Sequence, residues 1–139
     1  MRILIDTCVL AEIRKPDGHP AVKSAVAQID DKNLFLSVIT IGEIAKGVRL
    51  LPSGNKKQAL VNWLNTLEVD YKDRILPVDS EIARIWGELT ADAQSRGVII
   101  PAMDGLIAAT ALRHGLHIMT RNVRHFQLSR DFVIDPWTD

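Results

Sequence analysis

The chain is poor in several features that would narrow its function at once. Cys8 is its single cysteine among 139 residues, so no internal disulfide can form and a secreted disulfide scaffold is excluded. It has no surplus of charge. Seventeen Lys and Arg balance seventeen Asp and Glu, so no global field steers a polyanion onto the surface, and any contact with nucleic acid must be local. No stretch approaches the roughly 20 apolar residues of a membrane span. The apolar run near Met1 is cut by Asp6 and Glu12 before it reaches the length of a secretory h-region, so a cytoplasmic protein with no membrane contact is expected. Internal repeats, low-complexity runs and linkers are missing too. What remains is a chain that is 47% hydrophobic, long enough for a single domain over residues 1–139 with a substantial core. One site is expected, not an inter-domain cleft.

Short apolar runs alternate with helical patterns along its length. Ile3, Leu4 and Ile5 read as a strand buried on both faces and therefore central. A short helix from about Val9 to Arg14 stops before Pro16-Asp17-Gly18, and Pro20 opens a second helix with Val22, Val26 and Ile29 on one face. Leu34 to Val38 reads as a strand, and Thr40 as the start of a helix with Ile41, Ile44, Ala45 and Val48 at core spacing. Pro52 and Gly54 break that helix. Asn55 and Gln58 form a capping box for the next, and the two read as a helical hairpin with Lys56 and Lys57 solvated at its tip. Ile75 to Val78 is strand-like, but Pro77 assigns it to a sheet edge or an early end. Asp79 caps a long helix ending at Gly97, a further helix runs from Met103 to His114-Gly115, and strands follow at His117 to Thr120 and Phe132 to Ile134. In that further helix, Gly105 and the alanines 108, 109 and 111 permit close packing. This alternation predicts a mostly parallel central sheet covered by helices on both faces.

Such a topology carries Asp6, Glu43 and Asp104 to one edge, because each follows a strand or opens a helix beyond a strand's carboxyl end. Each also has a purely structural reading. Asp6 or Thr7 is a plausible helix cap, Thr40-x-x-Glu43 spells a capping box, and Asp104 in a first helical turn favours the helix dipole. If the acids converge, two carboxylates about 4 Å apart repel by roughly 4 kcal/mol at an effective dielectric near 20, so the cluster needs a cation or a shared proton. A divalent ion is the simpler solution. With no His or Cys accompanying the acids, an all-oxygen set favours Mg²⁺ or Mn²⁺ over Zn²⁺. Gly47, one turn beyond Glu43, leaves space on that helix face. Cys8, in a buried turn without a His partner, reads as a small core residue and not a nucleophile.

Several segments together carry a more specific likeness. Leu4-Ile5-Asp6-Thr7-Cys8, Ile41 to Gly47, Met103 to Ala111 and Thr120-Arg121-Asn122-Val123-Arg124-His125-Phe126 stand in the order of successive PIN-domain motifs. The chain resembles most the VapC/FitB branch of toxin ribonucleases, whose tail is similar to Asp135-Pro136-Trp137-Thr138-Asp139. The resemblance implies a three-layer α/β/α PIN-like fold with an inserted helical hairpin. It implies that Asp6, Glu43 and Asp104 are the conventional acids, with Thr7, Thr120 and Asn122 in support. It further implies a Mg²⁺- or Mn²⁺-dependent endoribonuclease, a homodimer silenced by a small cognate antitoxin, in a hetero-oligomer that meets DNA only through that antitoxin. Asn122 departs from the pattern, since many members carry a fourth carboxylate there; a neutral amide brings no charge toward a second metal.

The expected chemistry is metal-assisted hydrolysis of RNA phosphodiesters, with Asp6 and Asp104 as direct ligands and Glu43 acting through a water. Arg121, Lys46 and Arg49, with Arg124, are candidates for the RNA backbone; for each the plainer reading is solvated surface. Catalysis by His125 is not expected, and Trp137 reads as a docking residue covering core or partner surface. Two other classes compete: a weakly active PIN-fold partner in a DNA-binding repressor complex, and a Mg²⁺-binding switch domain. The switch would need adjacent acids after the first strand, where this chain has Thr7-Cys8.

Overall fold

A computed structural model describes residues 1–126 and 132–138, the His125 side chain excepted. His125 and Asp139, both singled out in the sequence, therefore lie outside the described side chains. The five strands are β1 (Ile3–Ile5), β2 (Leu34–Ser37), β3 (Ile75–Leu76), β4 (His117–Met119) and β5 (Val133–Ile134). They form one sheet in the order β3-β2-β1-β4-β5, and every pairing is parallel. As the sequence predicts, β1 is central. Pro77 ends β3 at the edge, where a missing N–H costs no ladder bond.

Because side chains alternate along a strand, β1 feeds two cores. Ile3 and Ile5 join Leu34, Leu36 and Met119 on one face, under α1 (Thr7–Arg14), α2 (Pro20–Ala27), α3 (Val38–Leu50) and α4 (Asn55–Asp70). Leu4 and Ile118 face the other way, against Leu89 of α5 (Ser80–Ser95) and Ile107, Ala108 and Ala111 of α6 (Ala102–His114). The result is the three-layer α/β/α arrangement, with α3 and α4 packed together between β2 and β3 as the helical hairpin.

Several expected helix ends hold. Asp79 accepts from the Ile82 N–H at 2.9 Å, and Gly115 closes α6 with φ 64°, a left-handed backbone that glycine adopts without strain. Gly105 is buried where a Cβ would stand 2.9 Å from the Trp86 ring, which accounts for the small residue there.

Three expected helix starts are corrected. Helix α1 begins at Thr7, not near Val9. Helix α3 begins at Val38 because the buried Ser37 hydroxyl accepts from the Ile39 N–H at 3.0 Å; Thr40 lies inside the first turn and Glu43 in the second. The Thr40–Glu43 capping box does not form, and the Thr40 hydroxyl is buried with no partner among the described residues. Helix α4 is entered from Gly54 without a side-chain cap, while Gln58 donates to Asn62 instead of closing a box with Asn55. Lys57 is more than solvated surface: its Nζ donates to the Leu51 carbonyl at 3.1 Å and the Arg49 carbonyl at 3.4 Å, satisfying the open end of α3.

Candidate metal-dependent active site

The parallel sheet delivers its strand ends to one edge, and the candidate residues follow directly. Asp6 comes straight after β1, Glu43 stands in the second turn after β2, Asp104 lies in the first turn of α6, and Thr120 follows β4. Asp6 is only 4% exposed. One of its oxygens accepts the Thr7 N–H at 2.8 Å, and the other accepts the Thr120 hydroxyl at 2.7 Å. Capping and site membership are thus not alternatives for Asp6; the cap fixes its rotamer. Glu43 Oε1 accepts the Thr7 hydroxyl at 2.8 Å, so Thr7 links both acids through its backbone and its side chain.

Charges at the site act on one another. Burial pushes the Asp6 carboxyl above its ordinary range; hydrogen bonds from Thr120 and Thr7 pull it down, and the Asp104 charge pushes it up again. Burial likewise raises Glu43, the Thr7 hydroxyl offsets this in part, and the charges of Asp6 and Asp104 add to the rise. The three acids, remote in sequence, therefore share one electrostatic neighbourhood.

The loop after β4 is tied to the same place. Thr120 Oγ1 accepts the Asn122 N–H at 3.0 Å, and Cys8 Sγ accepts the Arg121 N–H at 3.4 Å while lying 3.6 Å from Asp6 Oδ2. Burial foremost pushes the Cys8 thiol up, which keeps it protonated and a poor nucleophile. Cys8 packs against the core as the sequence predicts, half-buried, and the fold adds that its sulfur also lies beside Asp6.

Lys46 and Gly47 line a groove of about 570 Å³ that also touches Glu43 and Met103. A Cβ at Gly47 would meet nothing within 4 Å, so the space expected there exists. Arg49 is exposed on α3 but sits about a third of a turn around the helix from Glu43. Arg121 is exposed, with its guanidinium 5.1 Å from the centre of the Trp137 ring. Arg124 is exposed as well.

Among the described residues, no three His, Cys, Asp or Glu side chains already close into a metal-binding cluster. The donor chemistry nonetheless fits a hard divalent cation: carboxylates whose pKa is raised by burial first and by neighbouring charge second, in a site with Thr7 and Thr120 hydroxyls and no imidazole in the bonded set. Mg²⁺ suits such a set, because it keeps several waters and needs only one or two carboxylates.

The PIN-domain family model matches residues 3–130. The chain belongs to the PIN-domain family. This PIN domain is 36% identical to Toxin FitB of Neisseria gonorrhoeae, with 99% of each chain covered, and 32% identical to a VapC ribonuclease of Sinorhizobium fredii, with 97% of each covered. Its fold superposes on the crystal structure of FitAcB from Neisseria gonorrhoeae with a TM-score of 0.91 at 35% identity, covering 99% of both chains. A structure of FitAB bound to a DNA fragment matches at 0.90, with 34% identity over 97% of this chain and 95% of that one. The likeness to VapC/FitB toxins and the PIN-like α/β fold implied by the motifs are both borne out.

Proposed function

We propose that this PIN domain is the toxin of a type II toxin-antitoxin pair: a divalent-metal-dependent endoribonuclease held in check by a small cognate antitoxin. The toxin and ribonuclease names of its relatives support the class. The observation that carries the chemistry is the Thr7 bridge that holds Asp6 and Glu43 together, with Asp104 near enough for its charge to add to the larger upward push of burial on both. Such a cluster is costly for an apo protein to maintain, and hydrolysis of a phosphodiester gives it a use.

In this reading Asp6 and Asp104 hold Mg²⁺ or Mn²⁺, and Glu43 acts through a water. The ion supplies charge neutralisation and a more acidic bound water. Everything else falls to the chain. Thr120 and the Thr7 N–H fix the two Asp6 oxygens, and the Thr7 hydroxyl orients Glu43 so that its other oxygen is available to a water. A bound cation would favour the anionic forms of Asp6 and Glu43, and Glu43 would then be placed to hold a proton from the attacking water. Lys46, which shares the groove with Glu43, and Arg121 would hold the RNA backbone, with Arg49 and Arg124 as further exposed candidates.

A homodimer in the cytoplasm, bound to antitoxin and reaching DNA through it, completes the proposal; the FitAB–DNA relative supports that last element. No described helix is long and apolar enough to cross a membrane. The decisive test is Asp104→Asn, which removes a charge and keeps the volume. Metal-dependent RNA cleavage is expected to vanish while the circular dichroism spectrum is unchanged. Equal cleavage by both proteins at saturating Mg²⁺ would overturn the assignment.

A further inference from the structure

The C-terminal tail is built against the site. Thr120, whose hydroxyl holds Asp6, donates its N–H to the Ile134 carbonyl at 2.9 Å, so β5 and the tail beyond it leave the sheet beside the acids. Two residues past β5 the chain turns: the Trp137 N–H donates to Asp135 Oδ1 at 2.9 Å, the Thr138 hydroxyl donates to the Asp135 carbonyl at 3.2 Å, and Pro136 is buried. This turn fixes the indole in place. The half-buried Trp137 packs against the core under α1 to α4, and the Arg121 guanidinium lies over its ring. Arg121 is pinned from its other end as well, because its N–H donates to Cys8 beside Asp6.

An exposed arginine has many rotamers and loses about 2 kcal/mol of side-chain freedom when a phosphate immobilises it. A cation–π contact with a ring anchored in the core removes much of that freedom beforehand, while the guanidinium N–H donors stay available to a phosphate. We propose that Trp137 is a positioning residue for this nuclease: it acts through Arg121, holding the guanidinium at the edge of the acidic site to receive the backbone phosphate of a single-stranded RNA. The inference rests on the ribonuclease reading and assigns the tail a part in it.

The test measures binding of a fluorescein-labelled single-stranded RNA of randomised sequence to the full chain in EDTA, across a salt series. Arg121→Ala is expected to weaken binding and to flatten the dependence of log K on log salt by about 0.7, the value of one phosphate contact on a single strand. Trp137→Leu is expected to weaken binding about two- to fivefold, but to have no further effect in the Arg121→Ala background. Trp137→Phe retains an aromatic face and is expected to restore wild-type binding. Arg121→Lys, at an exposed position where folding is not at stake, retains the charge but replaces the broad guanidinium with a compact ammonium that is held less well by the ring. Its salt dependence is expected to match wild type, with affinity two- to fivefold lower. Additive losses in the double variant, or Arg121→Lys binding as tightly as wild type, would overturn the role of Trp137 while metal-dependent cleavage by wild type left the ribonuclease reading intact. A wild-type protein that neither binds nor cuts RNA would overturn both.

Discussion

The Thr7 hydroxyl donates to Glu43 Oε1 at 2.8 Å, joining the first residue of α1 to the second turn of α3 across 36 residues of sequence. Since the Thr7 N–H also bonds Asp6, one residue sets the relative positions of two acids. A supporting role for Thr7, as the resemblance implied, would rest on these two bonds.

Thr7→Val removes that hydroxyl with little change in shape, leaving the Glu43 carboxylate short of a donor. Metal affinity or cleavage rate is expected to fall by about 10- to 100-fold, the usual effect of losing a group that orients a ligand. Thr7→Ser should retain most of both. Titration calorimetry with Mn²⁺ and single-turnover cleavage separate these outcomes; a Thr7→Val protein equal to Thr7→Ser would show that the hydroxyl does not orient Glu43.

Asp6 and Glu43 both have native pKa values above the ordinary carboxylate values of 3.8 and 4.5, burial being the first cause in each. Between those ordinary values and the raised ones, the native protein still holds protons that the unfolded chain has released. Stability therefore falls as pH rises through that window and stays lower above it. In EDTA, Asp6→Asn is expected to gain stability relative to wild type as pH rises from 4 toward neutrality, in urea melts read at successive pH values. Adding Mg²⁺ should narrow the gap by stabilising wild type more. A gap independent of pH would remove the electrostatic explanation.

Gly105 and Gly87 separate packing from helix propensity. A Cβ at Gly105 would stand 2.9 Å and 3.0 Å from atoms of the Trp86 indole, whereas at the exposed Gly87 nothing lies within 4 Å. Gly87→Ala is expected to stabilise by about 0.5 to 1 kcal/mol through helix propensity alone. Gly105→Ala gains the same term but forces the indole aside, at about 1 to 3 kcal/mol, for a net loss. Thermal melts of the pair decide it; a Gly105→Ala protein as stable as Gly87→Ala would mean that α5 and α6 yield freely at Trp86.

Local pattern was enough to indicate the sheet and the edge of it to which the candidate acids go. An uninterrupted Ile3-Leu4-Ile5 forms a central strand because a strand covered on both faces needs apolar side chains on both, and Pro77 belongs at an edge because it lacks a donor. Strand–helix alternation then carries Asp6, Glu43 and Asp104 to one edge. Helix starts were harder to read. Ser37 and Thr40 are both competent caps three residues apart, and the choice depended on where β2 leaves the sheet, which sequence spacing does not encode. Tertiary structure alone decided which side chains meet: Thr7 with Glu43, Thr120 with Asp6 across 114 residues, Arg121 with Trp137. Such pairs depend on the register of parallel strands and on rotamers set by packing, so the sequence determined which chemistry was on hand and the fold determined which groups share it.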